Sequence, residues 1–231
     1  MRILITGGSQ GIGLATAEEL HAKGHELFLI GRNQDRLQKV LQDFQERADG
    51  FAADLSEPAQ IDVVIHAAAQ KGFSPDVLIL NAATFGPSGH SVVTPPADEL
   101  RRLLETNLLA NYQLVQGLLP SIQSGSYPRI ILIGSTAAIR QDSGSLYGIS
   151  KWALRSYAYS LRDELKTLGV GVTLLNAGGT FTQKRIPDEH TANDRLLKSS
   201  DIAKLIAALL TLSPQAVVEE INVRPMLGDT Y

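Results

Sequence analysis

The sequence of 231 residues contains no cysteine, only two methionines and one tryptophan, and its aromatic share is 6%. Without cysteine there is no disulfide, no thiolate metal site and no cysteine nucleophile. The composition suits a reducing compartment, and a cytoplasmic protein is expected. The five histidines, His21, His25, His66, His90 and His190, lack metal-ligand spacing, so no metal site is expected. Long apolar runs are missing too. A membrane helix needs about 18 such residues, whereas Ala203 to Leu212 is shorter and carries Lys204. The stretch Met1 to Gly8 holds three consecutive apolar residues, too few for the apolar region of a signal peptide. Nor is one sign of charge in excess: 21 basic against 24 acidic residues leave a net charge of −3. No overall positive field favours nucleic acid or an anionic membrane, and any anionic ligand must be held locally.

What is present is the material for a core, with 44% hydrophobic and 19% charged residues. Short β-branched or leucine-rich runs recur at Arg2–Ile5, Glu26–Ile30, Gly50–Ala52, Asp76–Leu80, Arg129–Ile133, Gly171–Leu175 and Glu220–Val223. Helical periodicity fills the spaces between them, at Ile12–Lys23, Gln34–Arg47, Ala59–Gln70, Ala97–Ile122, Leu146–Leu168 and Asp201–Leu212. Strands alternating with helices imply βαβ units, whose right-handed crossovers build a parallel sheet. The predicted fold class is α/β: a single doubly wound, Rossmann-type domain over residues 1–231, with a seven-stranded parallel sheet flanked by helices on both faces. The long segment without periodicity, about residues 181–200, is expected to be a binding loop beyond the carboxyl ends of the strands.

Directly after the first strand comes Thr6-Gly7-Gly8-Ser9-Gln10-Gly11-Ile12-Gly13. Glycines at Gly7, Gly11 and Gly13 permit a tight turn, close approach of a pyrophosphate and close helix–strand packing, and the helix N-terminus offers N–H groups to phosphate. The turn, with Ser9, Gln10 and Ile12, is therefore a candidate dinucleotide cradle. The second strand ends Gly31-Arg32-Asn33 with no acid at its tip. A carboxylate there would accept from the ribose hydroxyls, whereas Arg32 offers a forked cation to a 2′-phosphate. NADP(H) is favoured, with NAD(H) also possible. The same stretch reads as G-x-S-x-G, a hydrolase nucleophile elbow around Ser9, with Asp142 and His190 as nominal partners. Against it, an elbow after the first strand leaves no earlier loop to complete the oxyanion hole.

Further along, Tyr147 and Lys151 stand four apart in a predicted helix, on one face. Such a pair arises by chance in chains of this size, and its position is what gives it meaning. It follows the strand ending Gly134-Ser135-Thr136, so a serine hydroxyl can meet the phenol at the carboxyl edge of the sheet. Free tyrosine, with a pKa near 10, is a poor base at neutral pH. A nearby ammonium and a positive nicotinamide ring would lower that pKa, and the phenol could then exchange a proton with an alcohol or carbonyl oxygen steadied by the serine.

Thr6-Gly7-x-x-x-Gly11-Ile12-Gly13 together with Tyr147-x-x-x-Lys151 resembles the short-chain dehydrogenase/reductase family, over essentially the whole chain. The resemblance implies a catalytic set of Asn107, Ser135, Tyr147 and Lys151, in which Asn107 holds a water that links the lysine to solvent. It implies that Asp54 and Leu55 lie beside an adenine ring and that Asn81, Ala82 and Ala83 follow the fourth strand as an Asn-Ala-Gly equivalent. Ala177, Gly178, Thr180 and Thr182 would face the nicotinamide carboxamide. Ser135 is one residue nearer the tyrosine than is usual in the family, which leaves Thr136 as the alternative hydroxyl; Ala177 and Ala83 replace a proline and a glycine. The implied activity is interconversion of a small carbonyl compound and its alcohol by a homodimer or homotetramer, the apolar helices around Asn107 and Tyr147 forming the interface. A nucleotide-binding sensor or scaffold of the same fold, without turnover, is the rival reading.

Overall fold

The computed structural model describes residues 1–86, 91–140, 145–182 and 195–228. The first half of the chain alternates β1 (Arg2–Thr6), α1 (Gly11–Ala22), β2 (Glu26–Gly31), α2 (Gln34–Phe44), β3 (Ala48–Ala52), α3 (Pro58–Gln70) and β4 (Val77–Leu80). The second half continues with α4 (Ala97–Leu104), α5 (Ala110–Gln123), β5 (Arg129–Ser135), α6 (Leu146–Leu165), β6 (Gly171–Ala177), β7 (Thr180–Phe181), β8 (Leu197–Lys198), α7 (Ser199–Leu209) and β9 (Glu220–Val223). Local chemistry sets the helix starts. The Asn33 side chain accepts from the Arg36 N–H at 2.8 Å ahead of α2, and Ser145 Oγ accepts from the Gly148 N–H at 2.9 Å ahead of α6. Each satisfies a donor that the first helical turn leaves unpaired.

Seven strands form one parallel sheet in the order β3-β2-β1-β4-β5-β6-β9. Ile5 lies opposite Leu29 on one side and opposite Ile79 on the other. Because the pleat alternates, each central strand feeds two cores. Leu4, Phe28, Leu78, Ile130 and Leu132 pack with α3, α5 and α6, while Ile3, Ile5, Leu29, Ile79 and Ile131 pack with α1 and α7. The expected fold class is thus the observed one. No helix among the described residues is long and apolar enough to cross a membrane.

Two elements differ from the sequence expectation. The predicted helix Ala97–Ile122 is interrupted by a π turn at Glu105–Leu109. The predicted loop 181–200 is bounded by the short parallel pair β7–β8, and α7 already begins at Ser199. Residues 183–194 of that loop lie outside the described residues.

At the carboxyl edge the chain reverses its winding direction between β1 and β4, the switch point where such sheets open a crevice. The tips of these two strands are tied together. Thr6 Oγ1 accepts from the N–H groups of both Asn81 and Ala82 at 2.9 Å, and Asn81 Nδ2 donates to the Thr6 carbonyl at 2.9 Å.

Candidate active site

The glycine turn sits in this crevice. Gly7 and Gly11 have φ of +68° and +56°, a conformation that a side chain would strain. A Cβ on Gly13 would strike the Gly7 carbonyl and the Asn81 amide, so α1 lies directly on the turn. Gln10, the residue ahead of α1, is extended and caps no N–H group, and the first turn of α1 holds no acid. Uncapped donors with no carboxylate beside them are the chemistry that a pyrophosphate requires, and the cradle fits the dinucleotide expected from the sequence. Ile12 packs against the core below. Ser9 is buried, and its hydroxyl lies so near Gly31 that a Cβ there would stand 2.6 Å from it. Asp142 and His190, the partners of the hydrolase reading, lie outside the described residues.

At the tip of β2, Arg32 lies 3.7 Å from the Asp54 carboxylate. Burial works against that carboxylate, but the Ser56 N–H and hydroxyl and then Arg32 outweigh it and hold the acid below its ordinary range. Leu55 is buried in the core. A second guanidinium, which the sequence reading passed over, reaches the glycine turn: Arg36 donates to Gln10 Oε1. A signal for it existed. Asn33 caps α2, and the residue three positions beyond a cap returns to the cap's face of the helix.

The second group of candidates converges on the tips of β5 and β6. Ser135 ends β5 and pairs in register with Ala177, and Gly178 donates its N–H to the Val223 carbonyl at 2.8 Å. Thr180 Oγ1 donates back to the Gly178 carbonyl at 2.9 Å. Thr182 comes down over Gly11, its methyl 3.2 Å from where a Cβ would be. The segment Ala177–Thr182 therefore bridges from the serine to the glycine turn.

Tyr147, in the first turn of α6, is half-buried. Burial pushes its phenol up to about 12, against the opposing pull of a hydrogen bond with the Ser135 side chain. Ser135 is thus a hydroxyl that meets the tyrosine. One helical turn on, Lys151 is 2% exposed; burial pushes its ammonium down to about 8. Its Nζ donates to the Ile133 carbonyl at 2.9 Å and stands 5.8 Å from the centre of the Tyr147 ring. In the chain without nucleotide, burial holds the phenol above its ordinary range, and the lysine ammonium faces a carbonyl.

Asn107 lies in the π turn, fully buried. Its Oδ1 accepts from the Thr84 N–H at 2.8 Å, and its Nδ2 donates to the Thr84 carbonyl at 3.0 Å and to Ser150 Oγ at 2.9 Å. Ser150 Oγ donates in turn to the Tyr147 carbonyl at 2.7 Å. The side chain of Asn107 is a strut between the loop after β4, which carries Ala83, and the helix that bears Tyr147 and Lys151. Ser150 was not singled out from the sequence. Its place beside the lysine gave no sign that its hydroxyl links two helices.

A scan against family models matches residues 1–193 to the short chain dehydrogenase model. The sulfoacetaldehyde reductase of Chromohalobacter salexigens is 30% identical over 236 residues, covering 96% of this chain and 93% of that protein. Among solved structures, the alcohol dehydrogenase of the archaeon Thermococcus sibiricus, complexed with 5-hydroxy-NADP, superimposes with a TM-score of 0.87 at 25% identity, over 100% of this chain and 98% of that one. A metagenomic short-chain oxidoreductase in complex with NADP gives a TM-score of 0.83 at 29% identity, over 98% and 97% of the two chains. With the family model spanning most of its length and the whole fold superimposing on a solved dehydrogenase, the chain belongs to the short-chain dehydrogenase family of oxidoreductases.

Proposed function

We propose that the protein is an NADP(H)-preferring oxidoreductase that interconverts a small aldehyde or ketone and its alcohol, with Tyr147 as general acid and base. The observation that carries this reading is the half-buried Tyr147 hydroxyl, bonded to Ser135 one helical turn from a buried lysine. Bound nicotinamide supplies a hydride to the carbonyl carbon, or takes one from the alcohol. The chain's own groups handle the oxygen. A phenol held protonated is the acid that reduction needs, and it delivers its proton as negative charge grows on the substrate oxygen. The Ser135 hydroxyl steadies that oxygen. Lys151, close to its own titration point near neutral pH, can return a proton toward the tyrosine, with Asn107 supporting that relay.

The preference for the 2′-phosphate is supported by two guanidiniums, Arg32 at the tip of β2 and Arg36 at the glycine turn, and by the absence of an acid at the tip of β2. The NADP and 5-hydroxy-NADP of the related structures support it. The name of the Chromohalobacter relative, sulfoacetaldehyde reductase, supports a carbonyl substrate. Residues 181–200 are assigned to the substrate side, in one domain spanning residues 1–231. We assign the protein to the cytoplasm as a homodimer or homotetramer.

Tyr147→Phe removes the transferable proton and leaves the ring. Turnover of NADPH with an aldehyde should fall by about a thousandfold or more, while NADPH still quenches protein fluorescence with unchanged affinity. Retained turnover would sink the assignment of the acid. Tight NADPH binding by the wild type, with no turnover across a panel of carbonyl compounds, would favour a nucleotide-binding sensor.

A further inference from the structure

We propose that Phe85 is the specificity-determining residue on the substrate side of Tyr147, and that it selects carbonyl compounds bearing a flat, apolar substituent such as an aryl ring. This rests on the proposed carbonyl chemistry. Phe85 is 68% exposed, yet its ring is held against the Tyr147 ring, with centroids 4.9 Å apart and planes inclined by 31°. An exposed phenylalanine contributes little to a core, but the backbone that carries this one is secured from α4 and from the π turn that follows it. Asn107 grips Thr84 through both its N–H and its carbonyl. Arg102 of α4 donates to Thr84 Oγ1 at 2.9 Å and to the Phe85 carbonyl at 3.3 Å, and is itself steadied by Glu99 at 2.8 Å.

The two rings are therefore fixed relative to each other twice. They touch directly, and the backbone of Thr84, next to Phe85, is joined to that of Tyr147 by one run of hydrogen bonds through Asn107 and Ser150. A substrate oxygen between Tyr147 and Ser135 must carry its carbon substituents away from the phenol, past the neighbouring ring. The free face of Phe85 is the wall that such a substituent meets. Aromatic faces prefer offset stacking with other flat rings, an effect worth about 0.5–1.5 kcal/mol beyond burial, or roughly two- to tenfold in affinity. The charged composition of residues 181–200 gave no hint of this apolar wall.

Benzaldehyde and cyclohexanecarbaldehyde share a carbon count and differ in flatness, and the readout is how each responds to substitution at residue 85. Phe85→Ala is expected to lower kcat/KM for benzaldehyde about two- to tenfold more than for cyclohexanecarbaldehyde, chiefly through KM, and Phe85→Tyr to restore the wild-type ratio. NADPH titration and the melting temperature report whether each variant is folded. Equal losses for the two aldehydes, or a loss confined to kcat with a shifted pH profile, would overturn the proposal and make Phe85 a support for Tyr147 alone. If the wild type binds NADPH but reduces neither aldehyde, the proposed function fails on its own. The wall is then tested by saturation-transfer NMR, with benzyl alcohol and cyclohexylmethanol added to the complex with NADP. A signal for benzyl alcohol that Phe85→Ala abolishes supports it, and equal signals in both proteins overturn it.

Discussion

Burial moves the two titrating side chains of the site in opposite directions, and stability must follow. Lys151 falls from 10.5 to about 8, so between those pH values the unfolded chain holds a proton that the folded chain lacks. Stability contributed by this group rises as pH climbs from 8 to 10.5. Tyr147 rises from 10.0 to about 12, and here the folded chain keeps the extra proton, so its contribution is lost as pH climbs from 10 to 12. Below pH 8 the buried ammonium is a standing cost, of order 3 kcal/mol. Lys151→Met should therefore be more stable than the wild type at pH 7, by about 2 kcal/mol or roughly 4–8 °C in melting temperature, while losing most of its turnover. Calorimetry should show that gap closing as pH rises to 10, and a gap independent of pH would refute the account. Arg36 belongs at this scale as well. If it shares the 2′-phosphate with Arg32, Arg36→Ala will weaken NADPH about tenfold and NADH less than twofold in parallel fluorescence titrations. Equal weakening would reduce Arg36 to a brace for Gln10.

Among the elements, the interruption between α4 and α5 matters most. The π turn at Glu105–Leu109 aims Asn107 at the end of the sheet, where a side-chain amide takes the place of a neighbouring strand for Thr84. Asn107→Ala leaves a buried N–H and a carbonyl without partners, at a cost of about 2–3 kcal/mol or roughly 4–12 °C in melting temperature. It should also lower kcat about tenfold, since the tyrosine helix loses its link through Ser150. Unaltered melting would contradict the strut. The sequence could not disclose this turn, because it widens the helix over five residues, too few to disturb the apolar period of the surrounding stretch. Strands such as Ile130–Ile133 were legible because burial on both faces leaves an unbroken apolar run. Gly7, Tyr147 and Lys151 were legible because their chemistry requires fixed spacings along one local element. Arg36, Ser150 and Phe85 were not, because each acquires its meaning from a partner 26, 43 or 62 residues away.

For the whole molecule, the face formed by α5 and α6 is where the proposed assembly would seat a second copy of the chain. Leu109 beside α5, Tyr112 on it, and Ile149 and Trp152 on α6 are each more than 40% exposed, and Tyr112 meets Tyr157 edge-on at 5.9 Å across the two helices. Trp152 is not a core residue; its ring lies under the Arg155 guanidinium at 5.4 Å. Light scattering should find the wild type to be a dimer or tetramer, and Trp152→Glu should shift it to a smaller species. An unchanged mass would remove this face from the assembly. The same view of the molecule returns to the tie between Thr6 and Asn81. With β1 and β4 joined at their tips, the mouth of the crevice has a fixed gauge before any nucleotide arrives. No hinge at this point need close on the nucleotide and none need open to release it, so exchange at this end follows diffusion inward and the strength of the phosphate contacts outward. Affinity differences among nucleotides should then appear as residence times rather than as rates of capture.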